Sequence, residues 1–139
     1  MAGQSQAGVY VKDDNHGWLP SKVLSLDSES KSNTVHVEVT VPILVHGDGV
    51  ADTDTNEYEY EKQERKVNLK DYENETLPLQ NMDEGGNSIV VPDMCDLPSL
   101  HEAAILYNLK ARHEDLKPYT RVGDIVIAMN PFQVSYIIL

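Results

Sequence analysis

Asp-Met-Cys-Asp-Leu-Pro-Ser-Leu-His-Glu-Ala-Ala-Ile-Leu-Tyr-Asn-Leu-Lys-Ala-Arg-His-Glu-Asp-Leu-Lys-Pro-Tyr-Thr-Arg-Val-Gly-Asp-Ile-Val-Ile-Ala-Met-Asn-Pro-Phe occupies positions 93–132. Its local signals agree with one another over forty residues. Ser99 and Glu102 stand at capping-box spacing, in which each side chain satisfies an orphan amide at a helix start. Behind them Leu100, Ala103, Ala104, Tyr107 and Ala111 recur at helical spacing, and Leu106 and Leu109 widen that apolar face. Pro98 keeps helix out of the residue before it, and Pro118 lies just past the expected helix end. Tyr119 and Thr120 begin a β-prone piece, and Val122-Gly123-Asp124 makes a turn. Residues 125–129 then form a continuous apolar run, the pattern of a strand covered on both faces, which stops at Asn130-Pro131.

The block resembles the beginning of the myosin motor domain. That family opens with an acidic Asp-Met or Asp-Leu segment and a helix of the form Leu-x-Glu-Ala-x-Val-Leu-x-Asn-Leu-x-x-Arg. A Tyr-Thr-x-x-Gly hairpin follows, with a strand ending in Asn-Pro-Phe or Asn-Pro-Tyr. The matching positions here are Leu100, Glu102, Ala103, Leu106, Asn108, Leu109, Arg112, Tyr119, Thr120, Gly123, Asn130, Pro131 and Phe132.

Upstream the pattern is that of short strands. Val9-Tyr10-Val11 starts one, 13–17 is a turn cluster, and 18–26 alternates loosely around the single tryptophan, Trp18, expected as a core anchor. Residues 34–41 alternate strictly, with Val35, Val37, Val39 and Val41 on one face and Thr34, His36, Glu38 and Thr40 on the other. Pro42 ends this strand or places it at an edge, and 43–45 continue it after a kink. Residues 46–56 read as an acidic loop, and 57–64 alternate Tyr58 and Tyr60 with glutamates. Such short strands within about sixty residues indicate a small antiparallel barrel. The run Gly-Val-Tyr-Val-Lys-Asp followed by Gly-Trp-Leu-Pro-Ser-Lys-Val, at 8–23, resembles the SH3-like subdomain that precedes the motor in many myosins.

The expected architecture is therefore a small all-β SH3-like barrel, a linker, and an α+β fragment of one helix and one β-hairpin. The boundaries are a lead-in at 1–7, the barrel at 8–66, a linker at 67–92 holding Pro78 and Gly85-Gly86, and an incomplete motor start at 93–139. The hairpin strand at 125–129 lacks neighbouring strands in this picture, so the C-terminal third is expected to be more loosely held than the barrel.

The net charge of −12 does not select nucleic acid or an anionic membrane surface, both of which bind basic patches. Cys95 is the single cysteine, so no internal disulfide forms, which fits a reducing cytosolic setting. Asp93 and Asp96 flank it without an adjacent cation, so a depressed thiol pKa is not expected. The first eight residues have no apolar stretch of the signal-peptide kind, and no apolar run approaches the roughly 20 residues that span a bilayer.

Several site patterns fail on spacing. Residues 52–56 start like a calcium loop, but Glu57 and Gln63 stand where Gly and Glu are required. The five histidines never pair with the cysteine at zinc spacing. No Gly-x-x-x-x-Gly-Lys-Ser/Thr phosphate loop occurs.

The resemblance implies an ATP-dependent, actin-based cytoskeletal motor as parent protein, cytoplasmic, using ATP with magnesium and partnered by actin and light chains. It assigns adenine contact to Asn130, Pro131 and Phe132. An aromatic ring and a proline pack on a base, and an amide bonds to its polar edge. It places no catalytic and no metal-binding residue in this chain, which by itself is expected to be inactive as an ATPase. From Val134 onward the sequence leaves the family pattern, because Tyr136 comes too early and the expected proline is missing. A mis-joined reading frame and a genuine short product both give this departure. The rival reading is a non-enzymatic SH3-like interaction module whose aromatic groove is made of Trp18, Tyr58 and Tyr60.

Overall fold

The computed structural model describes residues 8–26, 33–47 and 56–130. They belong to two compact units, Met1–Asn87 and Ser88–Leu139.

The first unit is an antiparallel meander of β1 (Gly8–Asp13), β2 (Gly17–Leu26), β3 (Thr34–His46) and β4 (Glu57–Asn68), in that spatial order. The strict alternation in β3 decides its orientation. Val35, Val37, Val39 and Val41 are all buried, and Val37 and Val39 are wholly inaccessible. They join Val11, Leu19, Val67 and Tyr72 in one apolar cluster. A one-residue slip would turn all four valines outward, so burial itself pins the register.

Trp18 packs against the core cluster, as expected, while remaining half-buried, and the wholly enclosed residue of β2 is its neighbour Leu19, at 1% exposure. Neighbouring strand residues face opposite ways, and the short apolar side chain takes the inward position. Of the two readings of Pro42 the edge one holds: strand β3 continues through it, and Pro42 stands opposite Tyr60. β2 pairs with β3 only as far as Val39, so near Pro42 one side of β3 has no ladder to lose. The strand expected to be half-exposed is instead exposed on both faces along 57–62, Tyr58 and Tyr60 included.

The expected linker at 67–92 is mostly structured. Val67 lies in the barrel core, and two short 3-10 turns, Leu69–Asp71 and Glu73–Glu75, carry the buried Tyr72 between them. The Tyr72 hydroxyl accepts the Lys12 N–H at 3.0 Å. Farther on, Tyr10 N–H donates to the Pro78 carbonyl at 2.8 Å, and Gln80 N–H donates to the Gly8 carbonyl at 2.9 Å. Leu79 bridges Val9 in antiparallel register. The Gln80 amide Nε2 also donates to the carbonyls of Val9 (2.7 Å) and Ser21 (3.2 Å). This stretch thus completes the outward-facing backbone groups of β1 and makes the four-strand meander an SH3-like barrel. Its proline supplies only a carbonyl, which is all β1 requires of it.

The second unit holds a 3-10 turn (Met94–Asp96), helix α1 (Glu102–Glu114), and a hairpin of β5 (Tyr119–Val122) and β6 (Ile125–Ala128). Met94, Leu97, Ala104 and Leu109 form its core, with Ile89, Val91, Ile105, Val122 and Ile127 against them. Residues 89–91 therefore pack with this unit and not as a free linker. The helix start differs from the capping-box expectation. The N-cap is His101, whose Nδ1 accepts the Ala104 N–H at 3.1 Å. Met94 and Leu97 reach the core from the preceding turn, Leu100 stays exposed, and the winding begins only where Ala103 and Ala104 come inward.

At the other end α1 closes in a Schellman motif. Lys117 N–H donates to the Arg112 carbonyl and Leu116 N–H to the His113 carbonyl. Leu116 occupies the left-handed position with φ 58°. Strand β6 is not covered on both faces. Among the described residues it pairs only with β5, and Ile125 and Val126 are 66% and 55% exposed.

Candidate functional site

The candidate site is the end of β6, where Asn130 follows Met129. Four residues, all from the sequence block singled out above, set the path of the chain to that point. Asn108, buried in α1, clamps the backbone of Val91. Its Oδ1 accepts the Val91 N–H at 2.9 Å and its Nδ2 donates to the Val91 carbonyl at 3.1 Å. Arg112, one turn later, donates from Nε to the Thr120 hydroxyl at 2.9 Å and from Nη2 to the Tyr119 carbonyl at 2.9 Å. Thr120 is 1% exposed, so this arginine ties the helix to β5 at its most buried point.

Asp93 is the third anchor. Its Oδ1 accepts the N–H of Cys95 at 3.0 Å and of Gly123 at 3.1 Å, and its backbone bridges Arg121 in parallel. The hydrogen bond from Gly123 leads the causes that hold the Asp93 carboxyl below its ordinary range. Gly123 is the fourth. It turns the hairpin at φ 60°, a region an L side chain enters only with strain. Its carbonyl also accepts from the Arg121 guanidinium, from Nε at 3.2 Å and Nη2 at 3.1 Å. At the hairpin's open end Met129 N–H donates to the Pro118 carbonyl at 2.8 Å, so the backbone is held one residue before Asn130.

Of the expected adenine-contacting residues, Asn130 is placed directly after this bond, while Pro131 and Phe132 lie outside the described residues. The calcium-like segment also lies outside them, except for Asn56. No group of three or more His, Cys, Asp or Glu side chains suited to a metal ion occurs among the described residues. Cys95 is exposed, and its thiol is pushed up, first by desolvation and then by the Asp93 carboxylate. Trp18 packs on Tyr72, with ring centroids 6.3 Å apart and tilted 55°. The Lys12 ammonium sits over both rings, at 5.8 and 5.2 Å. Tyr58 and Tyr60 instead stand opposite Leu44 and Pro42.

Periodicity does not reveal the Asn108 clamp, because a polar residue on an apolar helix face reads as an interruption. Its signal was chemical, an Asn of poor helix propensity kept between Ala104 and Leu109.

No protein-family profile matches the chain. Part of it is 51% identical over 41 residues to unconventional myosin-IXa of Mus musculus, which covers 30% of this chain and 2% of that protein. It is 54% identical over 43 residues to myosin-11 of Arabidopsis thaliana, covering 31% and 3%. It is 48% identical over 44 residues to myosin-VIIa of Drosophila melanogaster, covering 32% and 2%.

The chain carries a myosin-like segment.

It spans only a few hundredths of the length of these myosins. Within the myosin-like block at 93–132, Asn108, Arg112, Thr120 and Gly123 all have structural work in this fold, and Asn130 stands at the end they fix.

Proposed function

We propose that this chain is a segment of the heavy chain of an ATP-driven, actin-based motor, comprising its SH3-like barrel and the first helix and hairpin of its motor domain. The observation that carries this reading is the 48–54% identity over 41–44 residues to animal and plant myosins. In the proposed role the hairpin delivers Asn130, Pro131 and Phe132 to the rim of a nucleotide pocket. Asn130 bonds to the polar edge of adenine, and the rings of Pro131 and Phe132 pack on its faces. ATP is held by its base here and by its phosphates elsewhere, because the 139 residues contain no phosphate loop. Magnesium coordination, hydrolysis, actin binding and light-chain binding then belong to other parts of the motor. The assembled protein works in the cytoplasm on the cytoskeleton.

Photolabelling with 8-azido-ATP of the polypeptide purified from its source cells tests the adenine assignment. Label on the peptide containing 130–132, competed away by ATP, is the expected result. Specific label confined to other peptides, or none, would overturn it. The rival interaction-module reading requires an open aromatic groove that includes Trp18. The packing of Trp18 on Tyr72 and Lys12 favours a structural role for that ring.

A further inference from the structure

β4 is the outer strand of the four-stranded sheet, and residues 57–62, 64 and 66 on it are exposed. Charges along an edge usually keep two copies of a protein apart. The charges here follow a different rule, a two-fold one. Outward from Gln63, Lys62 is matched by Glu64, Glu61 by Arg65, and Tyr60 by Lys66.

A second β4 laid antiparallel alongside the first, Gln63 facing Gln63, would set each Lys62 against the other copy's Glu64. Each Tyr60 ring would meet a Lys66 ammonium, and each Glu61 would face an Arg65 whose guanidinium already donates to Asp13 at 2.8 Å and to Gln63 at 3.2 Å within its own chain. Side chains alternate faces, so a two-fold axis perpendicular to the sheet must pass through a residue position and not between two. Moving the axis one residue earlier sets Lys62 on Lys62. Moving it one later sets Glu64 on Glu64 and Lys62 on Lys66. Only the Gln63 register is free of like charges across 60–66.

The chain's own pairing leaves this register wanted. Glu64 stands directly across from Glu38, like against like. The nearby Lys62 is ion-paired to Glu38 at 3.3 Å. Glu64 has no ion pair among the described residues, and a second copy would bring it one. At the far end of the edge, a cleft of about 310 Å³ separates Arg65–Asn68 of β4 from Val11 and Lys12 of β1 and from Asp71 and Tyr72, so the exposed part of the edge is the stretch before it. We propose that β4 is a self-pairing edge, through which two copies of this chain join antiparallel about Gln63 into one continuous sheet.

Sedimentation equilibrium of the 139-residue chain over a range of concentrations tests this. The weight-average mass is expected to rise from the 15.5 kDa of one chain toward twice that value. Lys62→Glu and Glu64→Lys should each weaken association about tenfold or more, and the double exchange should restore it. An unchanging monomer mass, or a double variant as weak as the singles, overturns the proposal. A second readout does not depend on charge. In a Cys95→Ser background, Gln63→Cys should oxidise to a 63–63 disulfide, since directly opposed antiparallel residues have Cα atoms about 4.5–5.5 Å apart. Tyr58→Cys in the same background should not. Equal cross-linking at both positions, or at neither, also overturns it.

Discussion

The Asn108 side chain meets the backbone of Val91 as a strand would, accepting its N–H at 2.9 Å and donating to its carbonyl at 3.1 Å. This one pair of bonds fastens the chain entering the second unit to the helix at its centre. Asn108→Ala removes both partners and leaves half-buried backbone groups unsatisfied, a loss of about 2 kcal/mol. The single tryptophan lies in the first unit, so fluorescence will not report it. Amide exchange at Val91 and Leu109 should accelerate about thirtyfold by this free energy, while exchange in β3 stays unchanged.

Leu116 holds the left-handed position of the helix C-cap although glycine is the usual occupant there. It is 62% exposed and gives up little packing on replacement. Leu116→Gly should therefore stabilise the second unit by about 0.5–1 kcal/mol, the relief of left-handed strain less the added freedom of the unfolded chain. Slower exchange across α1 would bear this out. Faster exchange would show that the exposed leucine side chain contributes more than its accessibility suggests.

In the barrel, Leu19→Ala should cost about 2–5 kcal/mol, because the side chain is enclosed by the valines of β3. Tyr72→Phe should cost about 1 kcal/mol, the hydroxyl that accepts Lys12 N–H. Both are measurable by urea unfolding followed through Trp18, which packs on Tyr72.

Asp13 gives the barrel an acid-sensitive tie. Its Oδ1 accepts from Arg65 at 2.8 Å, and its Oδ2 accepts the N–H groups of Asn15 and His16. Arg65 first, then the His16 ring and these turn bonds, hold its carboxyl down at about 2 against an unfolded value of 3.8, with burial opposing them. A carboxyl lowered on folding contributes its stability above the unfolded value and loses it as pH falls toward the folded one. Allowing for screening of the partly exposed Arg65, the contribution is about 1 kcal/mol. The stability difference between the native chain and Asp13→Asn should be constant above about pH 4.5 and should shrink between pH 4 and pH 2.

The exposed β6 should exchange its amides far faster than β3, because Ile125 and Val126 face solvent and only β5 pairs with the strand. Equal protection of Ile125–Ala128 and of Val35–Val39 would contradict this.

What was legible in the sequence is what periodicity encodes. The valines of β3 gave their own face, and the hairpin turn at Gly123 was marked by its glycine. Trp18 was readable as a residue packed on the core, but size is not burial, and the wholly enclosed position of β2 is that of its smaller neighbour Leu19. The 67–92 stretch reads as a linker because its role lies in single carbonyls and side chains, those of Pro78, Gln80 and Tyr72, which leave no periodic trace. The capping box failed for a related reason. Ser99 and Glu102 have the right spacing, but core contacts begin only at Ala103, so His101 became the cap. In the candidate site, Asn108, Arg112 and Gly123 were visible through the family resemblance, and their work as clamps emerged only in the fold.

A myosin-like block that belongs to a motor has phosphate-binding parts outside these 139 residues. Transcripts sequenced past the Phe132 codon should then carry a reading frame that continues into Gly-x-x-x-x-Gly-Lys-Ser/Thr. A stop directly after Leu139 in every transcript would contradict a motor role for this protein.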